Sequence, residues 1–254
     1  MEARTFHTPE PVELEITIPA GDIEIETVDG DESTVELDGN ERLVEQTRVE
    51  LVGNRLVVEL EGGKGPFGIT IAIGDFTLGR SQLRVRARVP HASRAELSTA
   101  SADMKVRGRL AALEAKSASG DLTVEGDIEG DAQVKTVSGD VRLRTVGGSL
   151  TVQSVSADVT VSSVGGSATA KSVSGDVRIE STREGKVTVQ SVSGDIEVGV
   201  AAGTNLDVDA GSVSGDLTSE VALGSDIGTI GSGGPMLVVR GKTVSGDFKV
   251  FRAA

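Results

Sequence analysis

Cysteine, tryptophan and tyrosine are absent from this 254-residue chain, and aromatic residues make up 2% of it. Without cysteine there is no disulfide framework, no thiol nucleophile and no Cys-type zinc site, a composition compatible with a reducing cytosol. Two histidines are present: His7 in the N-terminal tail and His91 in a turn after Val89-Pro90, so a His-centred triad has no evident members. The aromatic platforms of sugar-processing clefts are missing as well. No Gly-rich phosphate loop stands in a strand–helix setting. Paired carboxylates carry no information in a chain with 39 acidic residues. No run of about 18 apolar residues occurs, so no membrane span is predicted. The opening "MEARTFHTPEPVELEI" has neither a basic n-region nor an apolar h-region, which predicts an unexported, cytoplasmic chain.

What remains must build the interior from Val, Ile, Leu and Ala, with Gly plentiful at 33 residues. Such side chains suit a narrow core. The net charge of −14 repels phosphate backbones, and no basic cluster offsets it, so nucleic acid is excluded as a partner. The acidic surface is expected to keep a β-rich protein soluble.

A repeat dominates the chain. Aligned on Asp103, Asp121, Asp140, Asp158, Asp176, Asp195, Asp216 and Asp247, the intervals are 18, 19, 18, 18, 19, 21 and 31 residues. Two residues before each Asp stands Ser: Ser101, Ser119, Ser138, Ser156, Ser174, Ser193, Ser214 and Ser245. Four before it stands Ser or Thr, and immediately before it Gly, replaced by Ala at Ala102 and Ala157. Apolar residues follow at the first position after every Asp and at the third in all copies except Ser219, the period-2 signature of a half-buried strand. A second alternating run precedes each motif, and Gly turns such as Gly147-Gly148 lie between.

Two short strands cannot bury an apolar face alone, whereas stacking equivalent strands about 4.8 Å apart cures that. The pattern therefore predicts an all-β, single-chain β-solenoid (a β-helix, expected to be right-handed) with about 18–19 residues per turn. Ordinary hairpins in a sandwich or barrel would give no reason for every second strand to repeat the same columns. Residues 99–254 are read as regular repeats with a C-terminal cap, in which Phe248 and Phe251 cover the open lower end. Residues 1–98 are read as irregular β turns that continue the stack and cap its upper end, with strands at "VELEITI", "DIEIETV", "STVELDG", "TRVELVG", "RLVVELEG", "GITIAIG" and "LRVRARV". "PAGDIEIE" is a degenerate copy with Asp22 in the motif position, "EGGKGPFG" is a projecting loop, and no helix is predicted.

The recurring Asp has two readings. Stacked carboxylates could hold Ca²⁺, as in nonapeptide β-helices, but each turn offers one Asp with hydroxyls and peptide carbonyls beside it. The other reading is a corner, in which side-chain oxygens accept N–H groups that the bend leaves unpaired. Persistence of Ser and Asp where Gly becomes Ala favours the corner, with Ser and Asp as its structural residues. No catalytic, cofactor or metal residue is assigned. Lys116, Lys135 and Lys171, five before the Asp, read as a solvated ladder. An active site would break the pattern, so residues 199–205 and 225–235 are where one would be sought.

The stretches "TVSGDVRLRTVGGSLTVQSVSADV", "LRVRARVPHASRAELSTASADMKV" and "VELEITIPAGDIEIETVD" resemble the bacterial putative-adhesin family of β-strand-repeat proteins, a domain of unknown function. The resemblance covers nearly the whole chain and implies a β-solenoid, cell-envelope association in relatives, and no catalytic residues. The expected function is a non-enzymatic interaction scaffold that reads a partner protein or glycan. The alternatives are a Ca²⁺-stabilised adhesive repeat and a solenoid that polymerises end to end.

Overall fold

The structure, a computed structural model, describes residues 1–60, 63–65, 69–71, 83–221 and 234–253. It is an all-β solenoid in two compact units, Met1–Asp127 and Ile128–Ala254.

In the second unit the repeat columns become rungs. Val141 lies beside Val159, Val159 beside Val177, and Val177 beside Ile196, all in parallel register. The preceding strands stack likewise, Ala132 on Leu150, Ala168 and then Val187. Every one of these side chains is buried, and each valine or larger rung contributes roughly 1.5–3 kcal/mol of apolar burial. At the turns the coils approach too closely for a side chain: a Cβ on Gly165 would lie 2.5 Å from the Gly147 carbonyl oxygen.

The order of coils in space departs from chain order. The strand Gly185–Gln190 pairs with Met236–Ser245, which in turn pairs with Asn205–Ser214. Ile196–Val200 pairs with Phe248–Arg252, which pairs with Leu217–Ser219. The C-terminal coil is thus inserted between its two predecessors, and residues 205–219 form the outermost coil. The expectation that Phe248 covers an open end is therefore corrected. Phe248 is 2% exposed, held between Ile196 and Leu217. Its ring fits because a Cβ on Gly241 would lie 1.9 Å from it, so glycine in one column makes room for phenylalanine in another. Phe67 and Phe76 lie outside the described residues.

The first unit repeats the device at the other terminus. The strand Glu13–Val28 pairs on one side with Arg55–Leu60 and Leu83–Pro90, and on the other with Ser93–Arg107. Asp22 stands beside Asp103, Ile23 beside Met104 and Ile25 beside Val106, so "PAGDIEIE" is a true rung. Here the outer coil is covered. Glu32–Asp38 runs antiparallel along Leu83–Pro90, Glu2–His7 along Glu32–Asp38, and Thr47–Val52 along Arg55–Leu60. The expected absence of helix is corrected by one turn, Glu41–Glu45, whose Asn40 side chain accepts the Arg42 N–H at 3.0 Å and whose Val44 is buried. Five residues are too few to show a 3.6-residue period. Of the predicted "GITIAIG" strand, Ile69–Ile71 is present; of "EGGKGPFG", Gly63–Gly65 is a strand, and the remainder of both lies outside the described residues.

Candidate interaction face

The corner of each coil divides its polar groups between inside and outside. Hydroxyls four residues before the Asp turn inward: Thr99 and Ser117 in the first unit, and Thr136, Ser154, Ser172, Ser191 and Thr243 in the second, are buried. Thr136 Oγ1 donates to the Ser138 carbonyl at 3.0 Å, Ser172 Oγ to that of Ser174 at 3.1 Å, and Thr243 Oγ1 to that of Ser245 at 3.3 Å. Ser117 does the same to Ser119 at 3.0 Å. These hydroxyls give the corner carbonyls an additional donor: the Ser174 carbonyl also accepts the Ala157 N–H at 3.2 Å, and that of Ser245 the Gly194 N–H at 3.1 Å.

The serines two before each Asp hold the corner through their main chains. Ser138, Ser156, Ser174, Ser193 and Ser245 form a continuous series of parallel bridges. The N–H of Ser156 donates to the Val137 carbonyl at 2.7 Å, and that of Ser174 to Val155 at 2.7 Å. Their side chains, with those of Ser119 and Ser214, are exposed.

The aspartates form a ladder of a different kind. Six of the carboxylates accept the backbone N–H of the Asp one coil further along. Asp158 accepts from Asp176 at 2.9 Å, Asp176 from Asp195 at 2.8 Å, Asp195 from Asp247 at 2.8 Å and Asp247 from Asp216 at 2.9 Å. Asp140 takes the Asp158 N–H at 3.4 Å, and in the first unit Asp103 takes that of Asp121 at 3.0 Å. These bonds lie at exposed positions and contribute on the order of 0.5–1.5 kcal/mol each, a structural role that accounts for the recurring Asp. Among the described residues, no group of three or more His, Cys, Asp or Glu side chains is placed to hold a metal ion. The glycine before the Asp also has work to do. Gly175 adopts φ +123° and its Cβ would meet the Ala157 carbonyl oxygen at 2.2 Å. Ala102 and Ala157 avoid positive φ, so both corner conformations occur in one solenoid.

Between the two Ser/Thr columns runs a feature that alternation conceals. Val137, Val155, Val173, Val192, Val244 and Val213 stand three before their aspartates and are all exposed, in that spatial order. They make an apolar ridge six rungs long, bordered by exposed serine hydroxyls and the aspartates. The sequence does carry the signal, since six of eight copies read Ser/Thr-Val-Ser, but outward positions of a strand are read as polar by default. Beside the ridge lies a cleft of about 310 Å³ lined by Asp158, Thr160, Asp176, Arg178, Asp195 and Glu197.

A hydroxyl–imidazole–carboxylate series does form elsewhere, where the sequence offered none. Thr27 Oγ1 lies 2.7 Å from His91 Nδ1, and His91 Nε2 lies 3.5 Å from Asp29. The Thr27 oxygen is buried, accepts the Arg109 N–H at 2.7 Å, and sits 2.2 Å from where a Gly108 Cβ would be. It closes a turn and presents no nucleophile. Residues 199–205 form a turn in which Thr204 Oγ1 donates to the Arg183 carbonyl at 3.1 Å. Of the second loop, residues 222–233 lie outside the described residues.

A family model for Toastrack DUF4097 matches residues 12–251. The chain belongs to the Toastrack DUF4097 family. The resemblance to putative adhesins drawn from the Ser-Gly-Asp repeats is thereby shown. Two solved structures share the Toastrack fold. One, described as a putative lipid binding protein from Parabacteroides distasonis, has 14% identity, TM-score 0.59, and coverage of 98% of this chain and 96% of its own. The other, described as a putative adhesin from Bacteroides fragilis, has 13% identity, TM-score 0.57, and the same coverage of both chains. No curated protein matches this Toastrack chain.

Proposed function

We propose that this Toastrack chain is a non-enzymatic, adhesin-like interaction scaffold whose corner ridge docks a partner protein. The observation that carries the reading is the exposed valine column. A β-branched residue stiffens an extended corner, yet threonine would do so equally and the corner already uses it at Thr136 and Thr243. Choosing valine six times leaves on the order of 400 Å² of apolar surface open on an acidic molecule, the scale of patches that mark interaction sites. A valine ridge flanked by hydroxyls and carboxylates fits a protein surface better than a glycan, which stacks on aromatic rings. The fold shared with the structure described as an adhesin is consistent with this role.

Replacing Val155, Val173 and Val192 by Thr keeps the branching and removes the apolar face. From a bacterial envelope extract, the wild type is expected to retain a defined protein that the triple variant loses at an unchanged melting temperature. Equal retention by both, or specific glycan-array binding that the triple variant keeps, contradicts the reading.

A further inference from the structure

Among the described residues, the outermost coil of the second unit has an unpaired edge with a specific chemistry. On the strand Asn205–Ser214, the Asn205 N–H donates inward to the Pro235 carbonyl at 2.9 Å. Backbone groups alternate along a parallel strand, so Leu206, Val208 and Ala210 turn theirs to the open side. Their side chains are half-buried, whereas Leu237 and Val239, one coil inward in the same columns, are fully buried. The strand's outward positions are acidic. Asp207 and Asp209 share one cation, Arg240, at 3.0 and 3.8 Å, and residues 205–220 contain four acids and no base. At the corner, Asp216 occupies the end of the carboxylate ladder. Asp158, Asp176, Asp195 and Asp247 each accept an N–H from the next coil, and among the described residues nothing donates to the Asp216 carboxylate.

The molecule shows what such a strand accepts. In the first unit, the acidic strand residues Asp22, Glu24 and Glu26 pair in parallel with "LRVRARV", placing Arg84, Arg86 and Arg88 opposite them at 3.2, 3.2 and 3.1 Å. That arginine strand is covered on its far edge by Glu32–Asp38, so it is not free to serve another copy.

We infer that the edge of Asn205–Ser214 captures an extended peptide in which apolar and basic residues alternate. The peptide continues the solenoid as one further parallel strand, its apolar side chains closing over Leu206, Val208 and Ala210 and its cations meeting Asp207 and Asp209. A like-charged second copy of this edge would set Asp207 and Asp209 against the same acids, which disfavours self-pairing.

The probe is the capped peptide acetyl-LRVRARV-amide, titrated into the full chain by calorimetry, with hydrogen exchange at Leu206, Val208 and Ala210 as the positional readout. Saturable binding that slows exchange at those amides is expected. Asp207→Asn with Asp209→Asn should weaken it about five- to tenfold, as for exposed ion pairs. Val208→Pro removes an open-side N–H without removing an internal bond, and should abolish binding at an unchanged melting temperature. Absence of binding, or equal binding of acetyl-LEVEAEV-amide, overturns the inference. So does slow exchange at the three amides in the free protein. If that slow exchange is independent of concentration, the chain covers its own edge; if it tracks a dimer in sedimentation, a second copy does. The triple threonine variant of the ridge should bind the peptide normally, which separates this edge from the corner.

Discussion

The outermost coils of the two units are finished in opposite ways. In the first unit, the outer strands Arg55–Leu60 and Leu83–Pro90 each carry an antiparallel strand along the free edge, and Leu56, Val58, Val85 and Ala87 are fully buried. In the second, Asn205–Ser214 and Leu217–Ser219 are exposed or half-buried, and Leu217 is 53% exposed. Yet in both units the coil nearest the chain terminus, Glu13–Val28 in the first and residues 236–252 in the second, lies one position inside. Free strand edges invite further pairing. The first unit covers its outer coil with strands of its own, and the second leaves its outer coil exposed among the described residues.

The largest effect should come from comparing two residues of one column. Phe248 and Leu217 are neighbours in register, the first enclosed and the second at the open end. Phe248→Ala is expected to cost about 3–5 kcal/mol, and Leu217→Ala less than about 1 kcal/mol. Urea unfolding followed by circular dichroism measures both, since the chain has no tryptophan to report. Similar losses at the two sites would mean that the C-terminal coil is not inserted. Gly241→Val supplies the converse, because a side chain there meets the Phe248 ring; overpacking of this kind costs about 1–3 kcal/mol or more.

A smaller contrast lies in the carboxylate ladder. Asp176→Ala removes the acceptor of the Asp195 N–H, held at 2.8 Å, and should cost about 1 kcal/mol. Asp216→Ala removes no ladder bond and should leave the unfolding midpoint unchanged. If Asp216→Ala is as costly as Asp176→Ala, the ladder does not end at Asp216.

The sequence made the rungs legible and left their order hidden, for a physical reason. Period-2 alternation and the 18- or 19-residue interval specify which column Val141, Val159 and Val177 share. Because every coil offers the same columns, any coil can stack on any other, and nothing local says that residues 236–252 return to lie inside residues 205–219. The 31-residue interval before Asp247 is the available sign, and an insertion of that length is equally compatible with a loop. Within the corner, the inward turn of the hydroxyls at Thr136 and Ser172 could not be read, because a bend suspends alternation there. The same bend concealed the valine ridge, although its six copies were plain in the columns. Capping by antiparallel strands was illegible for another reason: Glu32–Asp38 and Thr47–Val52 have ordinary alternating patterns that fit parallel and antiparallel pairing alike.

The smallest expected effects are electrostatic, and they fall at opposite pH extremes in the two units. Hydrogen bonds from Lys105 and then Arg107 hold the Glu125 carboxyl below its ordinary 4.5. A carboxyl so depressed contributes stability that is present above 4.5 and is lost as pH falls through the lower folded value. At the open end of the second unit, a hydrogen bond to Glu220, on the outer coil, raises Lys249 above 10.5. Its contribution is complete below 10.5 and is lost as pH rises through the higher folded value. Glu125→Gln should therefore flatten the acid limb of a stability profile and leave the alkaline limb, while Lys249→Gln should do the reverse. Both groups are open to solvent, so added salt should shrink both differences. A Lys249→Gln profile parallel to wild type above pH 10.5 would show that the outer coil is not held to Phe248–Arg252 through this pair, and that its attachment rests on backbone pairing alone.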